Sequence, residues 1–374
     1  MKTVDALLET ARENTGLIDF GDERFMEGLT RLVDSLRHEA RLNAVGEHLL
    51  EQRLVMHLEQ RLGVEEWYRQ NPEIDAVQII APLIGISLPR TGSTALSHLL
   101  GHDPAARSLL ANESAKPSQL NGAAAFGASD AAALRPPGAR RFVPAGDNPP
   151  AECQELMALD FRSQLFLAFA QMPSYADWLL DADLSSTYAY ERRVLKLLQW
   201  RQPQARWRLK APSHLLYLRY LSAAFPDARF VMTHRDPAEV MVSVSALYTE
   251  YVSKLTDHVD PHYLGGLNTQ QWVTGMQRTL AFRADGQEHR FYDIHFMDMR
   301  EDPVAAVRGL YDWLDEPVSD EFERTMRQWW AASQAEREGT TYPDPTYFGL
   351  DLDAVRDQFS DYIRAAAGWT GRAL

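Results

Sequence analysis

Cysteine is almost absent from this chain, since Cys153 is the only cysteine in 374 residues. A single thiol excludes a disulfide within the chain, and it excludes a zinc site built from several cysteines. Both a reducing compartment and a buried free thiol are consistent with this count.

The sequence also has no long hydrophobic run. No window reaches the roughly 18 apolar residues that a membrane-spanning helix needs. Charges are spread through the first residues, MKTVDALLETARENTG, so they do not form a secretory signal. We therefore expect a cytoplasmic protein with no integral membrane association.

An excess of positive charge is missing too. The chain carries 38 Lys and Arg against 52 Asp and Glu, for a formal net charge of −14. Proteins that bind nucleic acid usually present a basic surface, so we expect no nucleic-acid partner. An anionic ligand would have to be held by a local cluster of cations.

What is present is enough apolar material for a large core, with 45% hydrophobic residues. Apolar spacing of three to four predicts helices over residues 3–70, and we expect residues 1–72 to form a helical cap. The nearly continuous apolar segment 77–88 is typical of a strand buried on both faces of a parallel sheet. Three further segments show the same order of strand, loop and helix: 206–211, 228–233 and 289–296.

This repetition predicts an α/β fold, a doubly wound parallel sheet flanked by helices, over residues 73–374. Residues 115–150 are rich in Ala, Gly and Pro, and we interpret them as a long lid-like loop. Residues 153–200 are helical and unusually apolar, which favours core packing over the wall of a substrate pocket.

The segment LPRTGSTAL, residues 88–96, lies between the first predicted strand and a helix start. This is where phosphate-binding loops occur in α/β proteins. It lacks the lysine of a Walker motif, and a simple capped turn is an equally good interpretation. It offers a flexible residue, a cation and three hydroxyl groups: Gly92, Arg90, Thr91, Ser93 and Thr94.

A second candidate site lies in THRDPAEVMVSVSAL, residues 233–247. Asp236 is expected to cap a helix, and Glu239 completes a capping box. Arg235 then lies just before this helix, and Ser243 lies about two turns into it, so both could face one group of ligand oxygens. Alternatively, Arg235 forms a surface ion pair and Ser243 bonds to a backbone carbonyl of its own helix.

The stretch WRLKAPSHLLYLRYLSAAFPDARFVMTHRDP, residues 207–237, resembles the sulfotransferases that use 3′-phosphoadenosine-5′-phosphosulfate (PAPS), in particular their bacterial branch. The likeness continues through YDIHFMDMREDP (292–303) and YFGLDLDAVRDQFSDY (347–362), and it covers roughly residues 77–365. The resemblance implies a P-loop-like sheet, PAPS as co-substrate, and transfer of its sulfuryl group to a hydroxyl.

The resemblance also implies roles for individual residues. LPRTGST is similar to the loop that binds the 5′-phosphosulfate, with Arg90 where many cytosolic members have lysine. Arg235 and Ser243 resemble the pair that binds the 3′-phosphate. No cation precedes the segment GLD in this chain, so Tyr347 or Thr341 is the candidate for a weaker third contact.

Sulfuryl transfer depends on positioning and electrostatic stabilisation, as phosphoryl transfer does. Because sulfate carries less charge than phosphate, fixed cations can suffice, and we expect no metal requirement. Arg90 is the candidate for the leaving-group oxygens and Lys210 for the sulfuryl oxygens. His214 is the first candidate for the general base and Glu113 is its rival.

Glu152 and Glu155 lie near the predicted lid, where they either orient an acceptor or begin a solvated helix. The apolar residues of 153–200 favour a small hydrophobic alcohol or phenol as acceptor. A carrier-bound or lipid-linked acceptor stays open, as does a homodimer. The alternatives in other classes are a nucleotide kinase or NTPase of P-loop type and a non-catalytic nucleotide-binding module.

Overall fold

The computed structural model of the chain describes residues 1–119, 148–202, 206–333 and 343–374. Most of the predicted lid-like loop at 115–150 lies outside these ranges, and so does Thr341. Within the described ranges no helix is both long and apolar enough to cross a bilayer.

The chain begins with the predicted helices. These are α1 (Val4–Thr15), α2 (Phe25–His38) and α3 (Ala44–Gln70). α1 and α3 both have a capped start, since Thr3 accepts a hydrogen bond from the amide of Ala6 and Asn43 accepts one from the amide of Gly46. Their apolar faces belong to the same continuous hydrophobic core as the sheet. The division into units at residue 72 remains a prediction.

Five strands form one sheet in the order β2-β3-β1-β4-β5, and every neighbouring pair is parallel. Ile84 of the central strand is paired with Leu209 on one side and Phe230 on the other. The predicted parallel α/β fold is therefore confirmed. The strands are β1 (Leu83–Gly85), β2 (Arg107–Ser108), β3 (Trp207–Lys210), β4 (Arg229–His234) and β5 (Phe291–His295).

The predicted strand at 77–88 is much shorter in the structure. Only Leu83–Gly85 pairs on both sides, and all three residues are buried. One further hydrogen bond, from the amide of Ile86 to the carbonyl of Val231, extends the contact with β4. Apolar character marks burial on both faces, but it does not mark where the ladder begins and ends.

Helices cover both faces of the sheet. One face packs on a cluster that includes Leu99, Val307 and Phe322, while the larger core covers the other face. The remaining α-helices are α4 (Ser93–Leu100), α5 (Ala111–Ala115), α6 (Gln154–Ala158), α7 (Pro173–Asp181), α8 (Ser185–Arg201), α9 (Leu218–Ala224), α10 (Pro237–Val252), α11 (Pro261–Phe282), α12 (Phe296–Glu301), α13 (Pro303–Leu314), α14 (Asp320–Ala332), α15 (Leu352–Gln358) and α16 (Ser360–Thr370).

The apolar segment 153–200 is mainly core, as its composition favours. Its helices α6, α7 and α8 bury residues such as Leu156, Tyr175 and Leu197 almost completely. Because all five strands are parallel, their carboxyl ends lie at one edge of the sheet, which is the edge where open α/β sheets bind ligands.

Candidate functional site

The loop between β1 and α4 lies at this carboxyl edge. Gly92 has a φ of 92° immediately before the first helical residue, Ser93, and a Cβ there would lie 3.3 Å from a ring carbon of Phe296. Arg90 also has a positive φ, 63°. No side chain caps α4 among the described residues, so its first-turn amides face the loop opening. Such amides are suited to an anion.

Thr91 has a structural role through its hydroxyl. Its Oγ1 donates to the carbonyl of Leu88 at 2.8 Å and is 2.6 Å from Oγ1 of Thr233. The side chain is completely buried. The predicted hydroxyl donor is therefore turned toward β4 and away from the loop opening, and it fixes the loop to the sheet. Ser93 is buried and Thr94 is exposed at the helix start.

Arg90 and the two residues of the second candidate site come together. The Nε of Arg90 donates to Oγ of Ser243 at 3.0 Å, and the Nη1 of Arg235 donates to the carbonyl of Arg90 at 3.0 Å. No carboxylate of the described residues lies within 4.0 Å of the Arg90 guanidinium. The Ser243 hydroxyl thus bonds to Arg90, and within the described residues it is not hydrogen-bonded to a carbonyl of its own helix. Two segments about 150 residues apart in sequence form one positively charged corner.

Arg235 is positioned by two further contacts. Its guanidinium lies 4.7 Å from the ring centroid of Phe296, and its Nη2 forms an ion pair with Glu239 at 2.7 Å. Asp236 caps α10 by accepting from the amide of Ala238, as expected. The predicted capping box is wrong in one respect: the Glu239 carboxylate turns to Arg235, because a cation four residues away is the stronger partner.

Lys210 ends β3 next to the start of α4. Its Nζ lies 3.2 Å from Oγ1 of Thr94 and forms an ion pair with Glu152. Only 6% of the Lys210 side chain is exposed, whereas 36% of the Glu152 side chain is exposed. Gly85 makes room for this arrangement, since a Cβ on it would lie 3.0 Å from Cγ of Lys210. Lys210 and Ser93 line a common pocket between α4 and the sheet.

His214 does not reach this pocket. Its side chain is 0% exposed, and its Nδ1 is hydrogen-bonded to the hydroxyl of Tyr188 at 3.0 Å. Burial lowers the pKa of His214 to about 3, so the ring is neutral and weakly basic. The structure therefore speaks against His214 as the general base. His214 lies four residues after Lys210, on a buried 3-10 turn (Pro212–Leu216).

Glu113, the rival base, is also occupied. Its carboxylate forms an ion pair with Arg107 and accepts a hydrogen bond from the amide of Leu110 at 3.1 Å. This ties the start of α5 to β2, which is a structural role. Glu113 follows β2 in the chain, but its neighbouring cation could not be recognised from the sequence without the fold.

The remaining predicted contacts separate in space. Glu155 forms an ion pair with Arg53 and a hydrogen bond with His57 in the helical layer, so only Glu152 of that pair faces Lys210. Tyr347 is 51% exposed on a 3-10 turn (Pro345–Phe348).

Sequence reasoning missed Arg356 of α15. Its Nη2 forms an ion pair with Asp236 at 2.7 Å, immediately next to Arg235. The signal was available, since Arg356 lies within FGLDLDAVRDQF just after the stretch that lacks a cation. The expectation of a third cation was limited to the residues before that segment.

A further missed group holds the end of β4. Nε2 of His234 is 2.7 Å from Asp293, and Arg283 binds the same carboxylate at 2.8 Å. His234 is fully buried. Because His234 directly precedes Arg235, this pairing between β4 and β5 fixes the backbone from which Arg235 projects.

One buried cluster has the residue types of a metal site. Ligand atoms of Cys153, Glu191 and His214 all lie within 4.8 Å of one another. Burial raises the pKa of Cys153 well above its usual value and raises that of Glu191 to about 8. Both groups therefore keep their protons at neutral pH, whereas a metal ligand must lose its proton. We assign the cluster to the core.

The fold and the site together define a class of protein. This is a parallel α/β protein with a glycine-containing loop at a helix start, two arginines beside the loop and a lysine on the neighbouring strand, an arrangement that suits an anion. The absence of a Walker lysine from the loop separates it from the P-loop NTPases.

Comparison with known proteins gives the family. Residues 82–320, more than half of the chain, match the family described as the sulfotransferase family, Sulfotransfer_3. The structure is similar to that of the sulfotransferase STF9 from Mycobacterium avium, with 30% identity, a TM-score of 0.86, and coverage of 98% of this chain and 97% of that chain.

The sulfotransferase STF1 from Mycobacterium tuberculosis H37Rv is similar as well, with 29% identity, a TM-score of 0.85, and coverage of 96% of this chain and 99% of that chain. No curated protein gives a significant match. This chain belongs to the sulfotransferase family, and the resemblance found in its sequence is confirmed.

Proposed function

We propose that this sulfotransferase takes its sulfuryl group from PAPS and transfers it to the hydroxyl of a small alcohol or phenol. The observation that carries the proposal is the corner formed by Arg90, Ser243 and Arg235. The Arg90 guanidinium donates to the Ser243 hydroxyl there, and the Arg235 guanidinium donates to the Arg90 carbonyl, on a chain with a net charge of −14. Such a local concentration of positive charge needs an anionic ligand to account for it.

The 3′-phosphate of PAPS is the group we assign to this corner. Guanidinium groups bind phosphate with two parallel charge-assisted hydrogen bonds, and the Ser243 hydroxyl can add another. Arg90 faces Ser243 in the structure, so we place it beside the 3′-phosphate. The sequence assigned Arg90 to the leaving-group oxygens, and that role now passes to the loop amides.

The 5′-phosphosulfate would then lie over the start of α4. The uncapped amides there bind the phosphate, and Lys210 and Thr94 lie at the sulfuryl end. As the acceptor oxygen bonds to sulfur, the bond from sulfur to the bridging oxygen breaks, and its electron pair stays on the phosphate of the product PAP. Fixed cations already placed around these oxygens stabilise that charge without reorganisation.

Membership of the sulfotransferase family weighs against a nucleotide kinase or NTPase. The side chains themselves argue against a non-catalytic nucleotide-binding module. Lys210 is held by Thr94 and Glu152 at the pocket beside α4, which is an arrangement that binding of adenosine alone would not need.

The proposed class of acceptor rests on the position of Glu152 and not on the apolar segment. The apolar segment 153–200 packs mainly into the core, so it offers little wall for an acceptor. We propose a small alcohol or phenol because Glu152 reaches solvent beside Lys210 and can meet a single hydroxyl there.

Thermal stabilisation tests the proposal directly. Purified protein is heated with PAP, ATP, ADP or AMP in the absence of added magnesium, and the shift in Tm is compared at equal ligand concentrations. A ligand that binds only the folded state at 100 times its Kd stabilises by about 2.7 kcal/mol. We expect a clear shift with PAP and a much smaller one with AMP. A shift in Tm with ATP alone would contradict the proposal. The absence of a shift with all four nucleotides would contradict it as well.

A further inference from the structure

We propose that Glu152 is the general base of the reaction, and that Lys210 blocks it until the donor arrives. The inference rests on the proposed function and concerns the acceptor side of the same site. In the structure Glu152 and Lys210 form an ion pair at the end of β3, beside the uncapped start of α4.

The other candidate bases are engaged elsewhere. His214 is fully buried against Tyr188, and the Glu113 carboxylate is bound by Arg107 and by the amide of Leu110. Glu155 is bound by Arg53 and His57. Among the described residues next to Lys210, Glu152 is the carboxylate that is also open to solvent, with 36% of its side chain exposed. It can therefore take a proton from an acceptor and return it to water.

Lys210 lies between the two substrates. Its Nζ contacts Thr94 on the donor side and Glu152 on the other side. An ammonium group has three hydrogen-bond donors, but its charge is shared among all its partners. When the sulfuryl oxygens approach the start of α4, they compete with Glu152 for this charge.

That competition has a defined chemical result. A carboxylate that loses its cation becomes more basic, because the cation had favoured the charged form. Glu152 then accepts the hydroxyl proton of the acceptor, whose oxygen forms the new bond to sulfur. The bond from sulfur to the bridging oxygen breaks, and its electron pair goes to the phosphate of PAP. Glu152 is free to accept this proton only when the donor has drawn Lys210 away from it.

The first test needs no acceptor. Glu152→Gln keeps the shape of the side chain and removes the charge that competes with the sulfuryl group. Binding of PAPS should become about two- to fivefold tighter, the range expected for a partly exposed ion pair, while binding of PAP should change less. Glu250→Gln, at a partly exposed carboxylate near the end of α10, is the matched control and should alter neither affinity. Unchanged PAPS affinity in Glu152→Gln would overturn the proposed competition between Glu152 and the sulfuryl oxygens for Lys210.

The second test measures single-turnover transfer from PAPS to phenols of graded acidity, including 4-nitrophenol. General base catalysis contributes about 10²- to 10⁴-fold. The rate with Glu152→Gln should therefore fall at least about 100-fold for the least acidic phenol and much less for 4-nitrophenol, a substantial fraction of which is already ionised near neutral pH. Rates within about threefold of wild type, or an equal loss for every phenol, would overturn the base assignment.

Glu152→Ala with added formate covers the case in which Glu152→Gln does not fold. Formate can occupy the space of the carboxylate, and restored turnover supports the role as base. A folded Glu152→Ala protein that binds PAP and is not restored by formate speaks against it. Failure of the wild-type protein to bind PAP would overturn the proposed function, and this outcome is separate from all of those above.

Discussion

The guanidinium of Arg235 donates to the backbone carbonyl of Arg90 at 3.0 Å. Two segments that are far apart in the sequence are thereby connected, while the Arg90 side chain donates to Ser243. Arg90 has a left-handed backbone conformation, with a φ of 63°. The hydrogen bond holds this conformation, which a non-glycine residue adopts only at a cost.

Replacing Arg235 with alanine is expected to weaken PAP binding about 30-fold. This corresponds to about 2 kcal/mol, the size of a lost charge-assisted hydrogen bond to phosphate. Binding of AMP, which has no 3′-phosphate, should change little. Isothermal titration with both nucleotides measures the difference.

Arg364→Ala is the control for Arg235→Ala, since Arg364 is a largely exposed arginine whose carboxylate partner within the described ranges is the exposed Asp361. It should leave both affinities unchanged. An equal loss of PAP and AMP binding in Arg235→Ala would show that Arg235 contacts a part of the nucleotide other than the 3′-phosphate.

His214→Asn is expected to lower stability and to leave the pH dependence of turnover unchanged. The buried imidazole has a pKa of about 3, because burial disfavours its charged form, so it does not titrate where the enzyme works. The loss of its bond to Tyr188 should cost about 1 to 3 kcal/mol. The measurements are urea unfolding and the pH profile of kcat/KM.

Tyr188→Phe removes the same hydrogen bond and leaves the imidazole in place, so it separates the two roles. Both variants should lose stability and keep the same pH profile. If His214→Asn alone removed an ionisation near pH 6 to 7, His214 would have to be reinstated as the base.

The stability of Glu191→Gln relative to wild type is expected to increase as the pH rises. Burial raises the pKa of Glu191 from 4.5 to about 8, so the folded protein retains a proton that the unfolded chain has lost in this range. Ionisation therefore favours the unfolded state between these values, by up to about 1.4 kcal/mol for each pH unit. Glutamine cannot ionise and abolishes this slope.

Urea unfolding of both proteins at pH 6.5, 7.2 and 8.0 measures the effect. The stability of Glu191→Gln minus that of wild type should increase with pH over this window. A constant difference would mean that Glu191 has an ordinary pKa and that a partner absent from the structure compensates its charge.

Much of the fold could be predicted from the sequence because burial on both faces leaves a clear mark. The apolar strands led to the parallel sheet, and the Asp236 cap gave the start of α10. Strand ends were harder to place, since β1 pairs over only three residues of a much longer apolar segment. Hydrogen-bond ladders depend on neighbours that a single segment does not reveal.

Residue type and position allow candidates for the site to be proposed from the sequence. Arg90, Arg235 and Ser243 could be named because cations and hydroxyl groups near helix starts are typical of anion-binding sites. The general base could not be settled this way. Whether His214, Glu113 or Glu152 is open to solvent depends on cations and aromatic rings brought in from distant parts of the chain, and only the folded arrangement shows which carboxylate remains available.

Gly85 lines the same pocket as Lys210, and its lack of a side chain limits which residues position 85 can accept. The Lys210 side chain packs against Gly85, and a Cβ at residue 85 would lie only 3.0 Å from Cγ of Lys210. Even alanine would require the Lys210 side chain to shift by a few tenths of an ångström at Cγ. Engineering a new acceptor preference should therefore leave residue 85 untouched and vary the solvent side of Glu152, where a changed side chain does not push on the cation.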